Sequence, residues 1–295
     1  MYELEKITLN NYYVNSPTKV GIYETPEGVW LIDSGNDKDA GRRLWKIINE
    51  AGWKLAGIIL THSNADHIGG AKLLQDRSGC RVFARGAEAA FTNWPMLEPS
   101  FLYGGNPPKA LQTKALMCQN PPVCEELSAA PLPPELRIID LPGHFLNMVG
   151  ILTPEGVLYC ADSVFSQHVI EKYHISFIYD VPEALATLES LPRHGAKYYL
   201  PAHADLTKDI SGLAEVNAAK ILEILAFLTE ICKTPLFFEE ILRLVFERYS
   251  LEMDFPQYAL VGSSIRSYLS HLLDTGALET VFDNNMLLWE RHEKA

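Results

Sequence analysis

Short apolar runs alternate with amphipathic stretches over about the first 210 residues, and this order predicts an α/β fold. Leu44, Ile47 and Ile48 recur at helical spacing, so a helix is predicted from about 39 to 51, followed by Gly52 past its end. Further helices are predicted from residue 69 and at 183–191. Strands are predicted at 20–25, 29–33, 56–61, 81–84, 137–141, 149–152, 157–160 and 198–200.

The stretch from about residue 85 to 134 breaks this rhythm. It contains three Pro-Pro pairs and the dipeptide Gly104-Gly105, which predict a long irregular excursion. Such an excursion inside a compact domain either serves function or is a loosely packed surface insertion. Because it lies between strands that carry the candidate chemistry described below, it could form a wall of a pocket.

The last 85 residues have a helical pattern instead. Helices are predicted at 213–231, 235–249 and 263–274, followed by a hairpin with strands at 278–282 and 286–290. Three helices and a terminal hairpin resemble a winged helix. The predicted division is therefore one domain at 1–210, then a helical connector and a small winged-helix-like domain at 211–295.

Composition and charge exclude several classes of protein. The chain has 295 residues, 47% hydrophobic and 21% charged, which is ordinary for a globular protein. It carries a formal charge of -12, a poor basis for binding nucleic acid. Five cysteines without a Cys-x-x-Cys pair argue against a disulfide scaffold. Neither a leader peptide nor a membrane span is expected, and a cytoplasmic location is predicted.

One polar stretch carries the strongest candidate chemistry. Thr61-His62-Ser63-Asn64-Ala65-Asp66-His67-Ile68-Gly69-Gly70 follows a predicted buried strand and precedes a predicted helix. A metal ion needs nitrogen and carboxylate donors that converge on one point at about 2.0–2.2 Å. A loop at the end of a strand can direct several side chains to one point, and the two glycines allow a tight turn into the next helix.

Three further residues share this placement after a predicted strand. His144 follows the strand at 137–141, Asp162 follows 157–160, and His203 follows 198–200. Each alone would be an ordinary polar residue, but their repeated position at strand ends predicts that they join the first cluster.

These residues together identify the chain as resembling the metallo-β-lactamase superfamily over about residues 1–210. The family order of His-x-His-x-Asp-His, Gly-His, Asp and His falls on His62, Asp66, His67, His144, Asp162 and His203. The resemblance implies an αββα sandwich, with the metals at one edge of the strands. It implies a first site at His62, position 64 and His144, and a second at Asp66, His67 and His203, with Asp162 bridging. Asp33 resembles a recurring family position that supports the metals without binding them.

Asn64 is a departure, because the family has histidine at that position. An amide oxygen is a weaker zinc ligand than imidazole, so the second site is expected to fill first and the first site to be weak or empty. Alternatively, Asn64 binds through its oxygen, a water replaces the histidine, or the centre is degenerate and non-catalytic. Zinc, one or two ions per chain, is the expected cofactor, and iron or manganese would also suit these donors.

The resemblance implies hydrolysis by a metal-bound hydroxide, with Asp66 orienting or deprotonating the water. A small ester, thioester or lactone is the expected substrate, and the superfamily name does not establish β-lactamase activity. The alternatives are a ribonuclease of the same fold, a non-catalytic metal or ligand sensor, and an iron-dependent redox role. Residues 234–295 hold five basic and ten acidic residues, which disfavours the nuclease.

Other candidates are less specific. Tyr103 and His174 are possible substrate contacts, whereas His168, His194, His271 and His292 lie outside the pattern and are expected to be structural or exposed. A winged-helix-like unit this acidic is expected to pack against the first domain or to form a homodimer.

Overall fold

The computed structural model describes residues 2–292 and contains two β-sheets in its first two-thirds. The larger sheet has seven strands in sequence order. They are β1 (Glu3–Lys6), β2 (Asn11–Asn15), β3 (Val20–Thr25), β4 (Gly28–Ile32), β5 (Leu55–Ile59), β6 (Arg81–Ala84) and β7 (Cys124–Glu126). The first four strands pair antiparallel and the last four pair parallel, so β4, β5 and β6 all end at the same edge of the sheet.

The second sheet has four strands, and a separate hairpin ends the chain. The sheet order is β11 (Tyr198–His203), β10 (Val157–Phe165), β9 (Val149–Leu152) and β8 (Arg137–Asp140), and only the β10–β11 pair is parallel. The hairpin joins β12 (Leu278–Asp283) to β13 (Met286–Arg291) through Asn284 and Asn285. Both asparagines have positive φ, as this tight hairpin turn requires.

Ten α-helices complete the described chain. They are α1 (Lys38–Glu50), α2 (Ala65–Ile68), α3 (Ala71–Ser78), α4 (Ala87–Asn93), α5 (Leu97–Tyr103), α6 (Gln167–Tyr173), α7 (Val181–Ser190), α8 (Ser211–Ile231), α9 (Phe238–Arg248) and α10 (Phe255–Asp274). Helix α1 begins where the Asp37 carboxylate accepts hydrogen bonds from the backbone of Asp39 and Ala40. It ends before Gly52, whose φ of 71° is the left-handed conformation expected there.

Apolar side chains form three layers of core between these elements. Tyr23, Trp30 and Phe83 of the large sheet pack against Ile151 and Tyr159 of the small one. A second cluster lies between the large sheet and helices α1 and α3, and a third between the small sheet and helices α7, α8 and α10. The order helix, sheet, sheet, helix is the αββα sandwich that was expected.

Residues 85–134 are more regular than expected. Helices α4 and α5 and strand β7 lie within this range. The proline and glycine pairs mark the connections between these short elements rather than one continuous loop. The prediction of a wholly irregular excursion was therefore wrong.

The C-terminal helices match the predicted order, and one of them is longer. Helix α10 starts at Phe255 instead of 263, because Asp254 accepts a hydrogen bond from the Gln257 backbone and Pro256 occupies its first turn. The hydrophobic core is continuous from the small sheet through Ile221 of α8 to Ile265 of α10. Within residues 2–292 no helix combines the length and the apolar character needed to cross a bilayer.

Candidate metal centre

The motif at residues 61–70 lies at the edge where β5 ends. Residues 60–64 leave the strand, and the short helix α2 carries Asp66 and His67. Gly69 and Gly70 have ordinary helical φ values, so they do not serve the tight turn that was predicted. A Cβ atom at Gly69 would lie 2.3 Å from the Asn36 backbone, and one at Gly70 would lie 2.2 Å from the Ser34 carbonyl oxygen. Only glycine lets the two loops approach this closely.

The other candidate ligands reach the same place, although from positions that differ from the prediction. Asp162 lies within β10, not after it. The pairing of β10 with β11 shifts register on either side of Ala161, which has a φ of 49°. His203 is the last residue of β11, and His144 lies in the loop after β8. A strand irregularity thus aims Asp162 into the site, a common use of such irregularities.

Six side chains form two adjacent groups of donor atoms. His62, His144 and Asp162 make one group, and Asp66, His67 and His203 make the other. His203 Nε2 lies 3.3 Å from Asp66 Oδ2 and 3.3 Å from Asp162 Oδ2, and His67 Nε2 lies 3.1 Å from Asp162 Oδ1. Donors about 2.1 Å from one tetrahedral ion stand about 3.4 Å apart. The spacing of these atoms therefore fits divalent ions.

Unpaired buried atoms indicate the same use. Among residues 2–292, His62 Nε2, His67 Nε2 and Asp162 Oδ1 are buried without a hydrogen-bond partner. Such atoms are costly unless something outside the protein binds them. All three atoms belong to residues of the two donor groups.

Asp33 determines which ring nitrogen faces that space in two of the histidines. The Asp33 carboxylate accepts hydrogen bonds from the Thr61 backbone (2.7 Å) and hydroxyl (2.8 Å), and it lies 2.8 Å from His67 Nδ1. Because a carboxylate only accepts, one His67 proton is on Nδ1, which leaves Nε2 as the ring atom that can bind a metal. The Thr61 hydroxyl donates to Asp33, so it accepts from His62 Nδ1 at 3.0 Å, and His62 Nε2 is likewise free to bind.

The charges of the centre support one another. Burial raises the pKa of Asp162, but the imidazoles of His203 and His67 lower it well below its ordinary value. Burial lowers the pKa of His203, and Asp162 and Asp66 more than offset this, raising it to about 10. Burial is the largest cause that lowers the pKa of His62 and His144, which keeps these two imidazoles neutral.

Two buried glutamates, which the sequence reasoning missed, hold the ligand loops. Glu88 on α4 accepts hydrogen bonds from the backbone and hydroxyl of Ser63 (3.0 and 2.8 Å) and from the Asn147 backbone (2.7 Å). It thereby joins the loop of His62 to the loop of His144. Burial raises its pKa to about 7. Glu98 on α5 accepts a 2.7 Å hydrogen bond from the side-chain amide of Asn64.

A cleft of about 760 Å³ opens onto the donor groups. Its walls come from α5 and the following segment, from α6 and the residues after it, and from the C-terminal helices. The apolar lining residues are Leu102, Leu116, Phe165, Val169, Ile175, Phe177, Leu251 and Leu260. Among the described residues that line it, Lys172 is the one lysine or arginine, and Glu98 and Glu252 are also present. The segment at 85–134 and the C-terminal region therefore both shape access to the centre.

The two predicted substrate contacts lie elsewhere. Tyr103, at the end of α5, is 45% exposed and packs edge-on against Phe255. His174 stacks on Tyr249 and faces a narrow cavity behind His144. Neither residue lines the cleft, so the structure gives them no contact with a substrate there. His168, which was set aside, does line the cleft.

An αββα sandwich with a histidine and aspartate cluster at one strand edge defines a class of metal-dependent hydrolases. The family model described as the metallo-β-lactamase superfamily matches residues 15–203. The chain belongs to this superfamily, whose members are hydrolases.

Individual relatives agree with this assignment. A hydroxyacylglutathione hydrolase of Shewanella pealeana is 26% identical over 141 residues, which are 47% of this chain and 43% of that protein. The match thus spans less than half the length of that curated relative.

Two solved structures share the fold along almost the whole chain. A β-lactamase domain protein of Burkholderia ambifaria has a TM-score of 0.78 at 17% identity and covers 98% of this chain and 94% of its own. A metallo-β-lactamase family protein of Thermus thermophilus has a TM-score of 0.68 at 19% identity, covering 99% and 98%. The shared fold therefore includes the C-terminal helices and hairpin.

Proposed function

We propose that the protein hydrolyses a small ester, thioester or lactone with one or two zinc ions. The observation that carries this proposal is the pair of donor groups that Asp162 joins at the floor of the cleft. Four histidines and two aspartates converge there, and within the described residues the Nε2 atoms of His62 and His67 have no hydrogen-bond partner.

His67, His203 and Asp66 would hold one ion, His62 and His144 the other, and Asp162 would contact both. A bound divalent ion lowers the pKa of a water molecule to about 7 and polarises a carbonyl oxygen. The site of Asp66, His67 and His203, together with the shared Asp162, has two imidazoles and two carboxylates. This site is proposed to fill first, and manganese or iron would also suit it.

Asp66 is proposed to orient the attacking water. Its Oδ2 accepts a 2.8 Å hydrogen bond from the Thr18 hydroxyl, which fixes the carboxylate at the cleft floor. Burial raises the pKa of Asp66. The imidazoles of His67 and His203 lower it by more, so the pKa lies below its ordinary value. A carboxylate with a low pKa is a weak proton acceptor, which favours orientation of the water over its deprotonation.

The cleft favours an uncharged or singly charged substrate with an apolar acyl group. Its volume suits a small molecule, and apolar side chains make up nearly half of its lining. Lys172 alone offers a permanent positive charge among the described lining residues, and the Glu252 carboxylate would repel further anionic groups. This lining argues against a polyanion such as RNA, which requires several cationic contacts.

The C-terminal three helices and hairpin are proposed to be winged-helix-like and to select the substrate rather than bind nucleic acid. Leu251, Glu252, Gln257 and Leu260 from this region line the cleft. We also propose that the chain can form a homodimer through this region. The five buried free cysteines support a reducing cytoplasmic compartment as the place of action.

Metal analysis combined with a substrate screen tests the proposal. The purified chain is analysed for zinc, manganese and iron, and then assayed with p-nitrophenyl esters, acyl thioesters, lactones and a single-stranded RNA. The proposal is supported if the parent chain hydrolyses a neutral acyl substrate and this activity is lost both in the His67→Ala variant and after treatment with a chelator. A chain that binds no divalent metal after dialysis against zinc would refute it, and cleavage of RNA alone would replace it with the nuclease.

A further inference from the structure

Asn64 stands between a buried carboxylate and a candidate metal ligand. Its Nδ2 donates to Glu98 Oε1 at 2.7 Å, and its Oδ1 lies 3.0 Å from His144 Nε2. Glu98 is only 7% exposed and comes from α5, a different element from either partner. Both ends of the amide are therefore held, and its oxygen faces the first donor group.

The contact between Asn64 and His144 is incomplete as a hydrogen bond. His144 Nδ1 lies 2.9 Å from the carbonyl oxygen of Phe177, which only accepts, so the ring proton is on Nδ1. A neutral His144 then directs the Nε2 lone pair toward the Asn64 oxygen, which also carries lone pairs. A cation bound by both atoms removes this repulsion, and their 3.0 Å separation is close to the spacing of two donors on one ion.

Glu98 keeps the amide in this orientation. The opposite orientation would lose the 2.7 Å hydrogen bond from Asn64 Nδ2 to Glu98 Oε1 and turn the amide oxygen away from His144. The same hydrogen bond draws electron density toward the amide oxygen and makes it a stronger donor, as carboxylates do for ligands that they contact.

We propose that Glu98 positions Asn64 so that its amide oxygen completes the first site, together with His62 Nε2 and His144 Nε2, for a zinc or manganese ion. This inference rests on the proposed metal centre. The first site is then weaker than the second but real, and its strength depends on a residue that does not touch the ion. Glu98 is a positioning residue in this scheme.

Four variants separate this role from a general structural one. Glu98→Ala removes the contact, and Glu98→Gln keeps an acceptor but removes the charge. Glu252→Gln is the matched control, because it alters another carboxylate that lines the same cleft. Asn64→His supplies an imidazole ligand that does not need Glu98, and it is combined with Glu98→Ala.

Equilibrium dialysis of chelator-treated protein against zinc and manganese gives the number of ions and their affinities. Circular dichroism checks folding, and the visible spectrum of the cobalt-loaded protein reports coordination. We expect two ions in the parent chain. Glu98→Ala should weaken the looser ion about 10–100-fold and leave the tighter ion unchanged, with a smaller loss in Glu98→Gln and none in Glu252→Gln. In the Asn64→His background, Glu98→Ala should change the looser ion less than about threefold.

Several results would overturn the inference. They are a single ion in the parent chain, an unchanged looser ion in Glu98→Ala, equal weakening of both ions, or the same loss in the Asn64→His background. Each of these leaves the metal-dependent hydrolase proposal standing. A parent chain that binds no ion would instead refute both proposals.

Discussion

Replacing Asp33 with asparagine is expected to weaken both metal sites through one residue that binds neither ion. The Asp33 carboxylate contacts Thr61 twice and His67 Nδ1 once, all within 2.8 Å. Through the Thr61 hydroxyl it also determines the tautomer of His62. Asparagine preserves the shape, and it tolerates the φ of 68° at this position.

The expected magnitude follows from the number of acceptors. The carboxylate accepts three hydrogen bonds on two oxygens, whereas an amide has one oxygen and presents N–H donors on its other side. If the amide nitrogen faces Thr61 Oγ1 and His67 Nδ1, the imidazole proton loses its acceptor and His67 can adopt the tautomer with Nε2 protonated. Loss of such a supporting contact costs about 10–100-fold in metal affinity, or about 1.4–2.7 kcal/mol.

Zinc affinity is measured by competition with a chromophoric chelator at fixed pH, alongside thermal unfolding. Asp37→Asn is the control, because Asp37 caps helix α1 in the same connection and contacts no ligand. We expect it to leave zinc affinity unchanged and to cost little stability, because asparagine caps a helix about as well as aspartate. If Asp33→Asn binds zinc as tightly as the parent chain, or if Asp37→Asn weakens it equally, the assigned tautomers are wrong.

Three further outcomes are expected. Asp66→Asn should lower turnover about 100-fold or more with an unchanged circular dichroism spectrum, and retention of activity would exclude Asp66 as the water-orienting group. Removing the metal with a chelator should lower the melting temperature by a few degrees, since a metal at 100 times its Kd stabilises the folded chain by about 2.7 kcal/mol. An unchanged melting temperature would mean that bound metal does not stabilise the fold. In chelator-treated protein, the raised pKa of His203 contributes stability below pH 6.5 that is lost as the pH rises to about 10. His203→Ala should show a smaller decline in melting temperature, because only the raised pKa of His67 then contributes, and an identical decline in both proteins would contradict the assignment.

Local sequence patterns predicted most of the sandwich, because hydrophobic spacing and turn residues mark its strands and helices. The strand pair β3 and β4, helix α1 and the terminal hairpin were predicted nearly to the residue, since alternation, helical spacing and turn residues coincide in each. The short elements at 85–134 were missed because helices of seven residues give too few repeats for a period to be recognised.

The candidate ligands and Asp33 could be named from the sequence, whereas the two buried glutamates that hold the ligand loops could not. His62, Asp66 and His67 are adjacent in sequence, and His144, Asp162 and His203 follow a recognisable order. Glu88 and Glu98 have no such signature, because a glutamate on a short amphipathic helix has the same pattern whether it faces solvent or a buried loop. Their burial depends on how α4 and α5 pack, which is tertiary information.

The C-terminal region contacts both the cleft and the helix that carries Glu98. Ala259 of α10 packs in one apolar cluster with Leu102 and Leu111, next to the helix that carries Glu98. Leu260 and Gln257, on the same helix α10, line the cleft. The four histidines and Asp162, by contrast, belong to strands β10 and β11, to helix α2 and to loops of the sandwich. Changes in α10 can therefore alter the cleft and the support of Asn64 while the second site stays intact, so substrate range and first-site strength are expected to vary together.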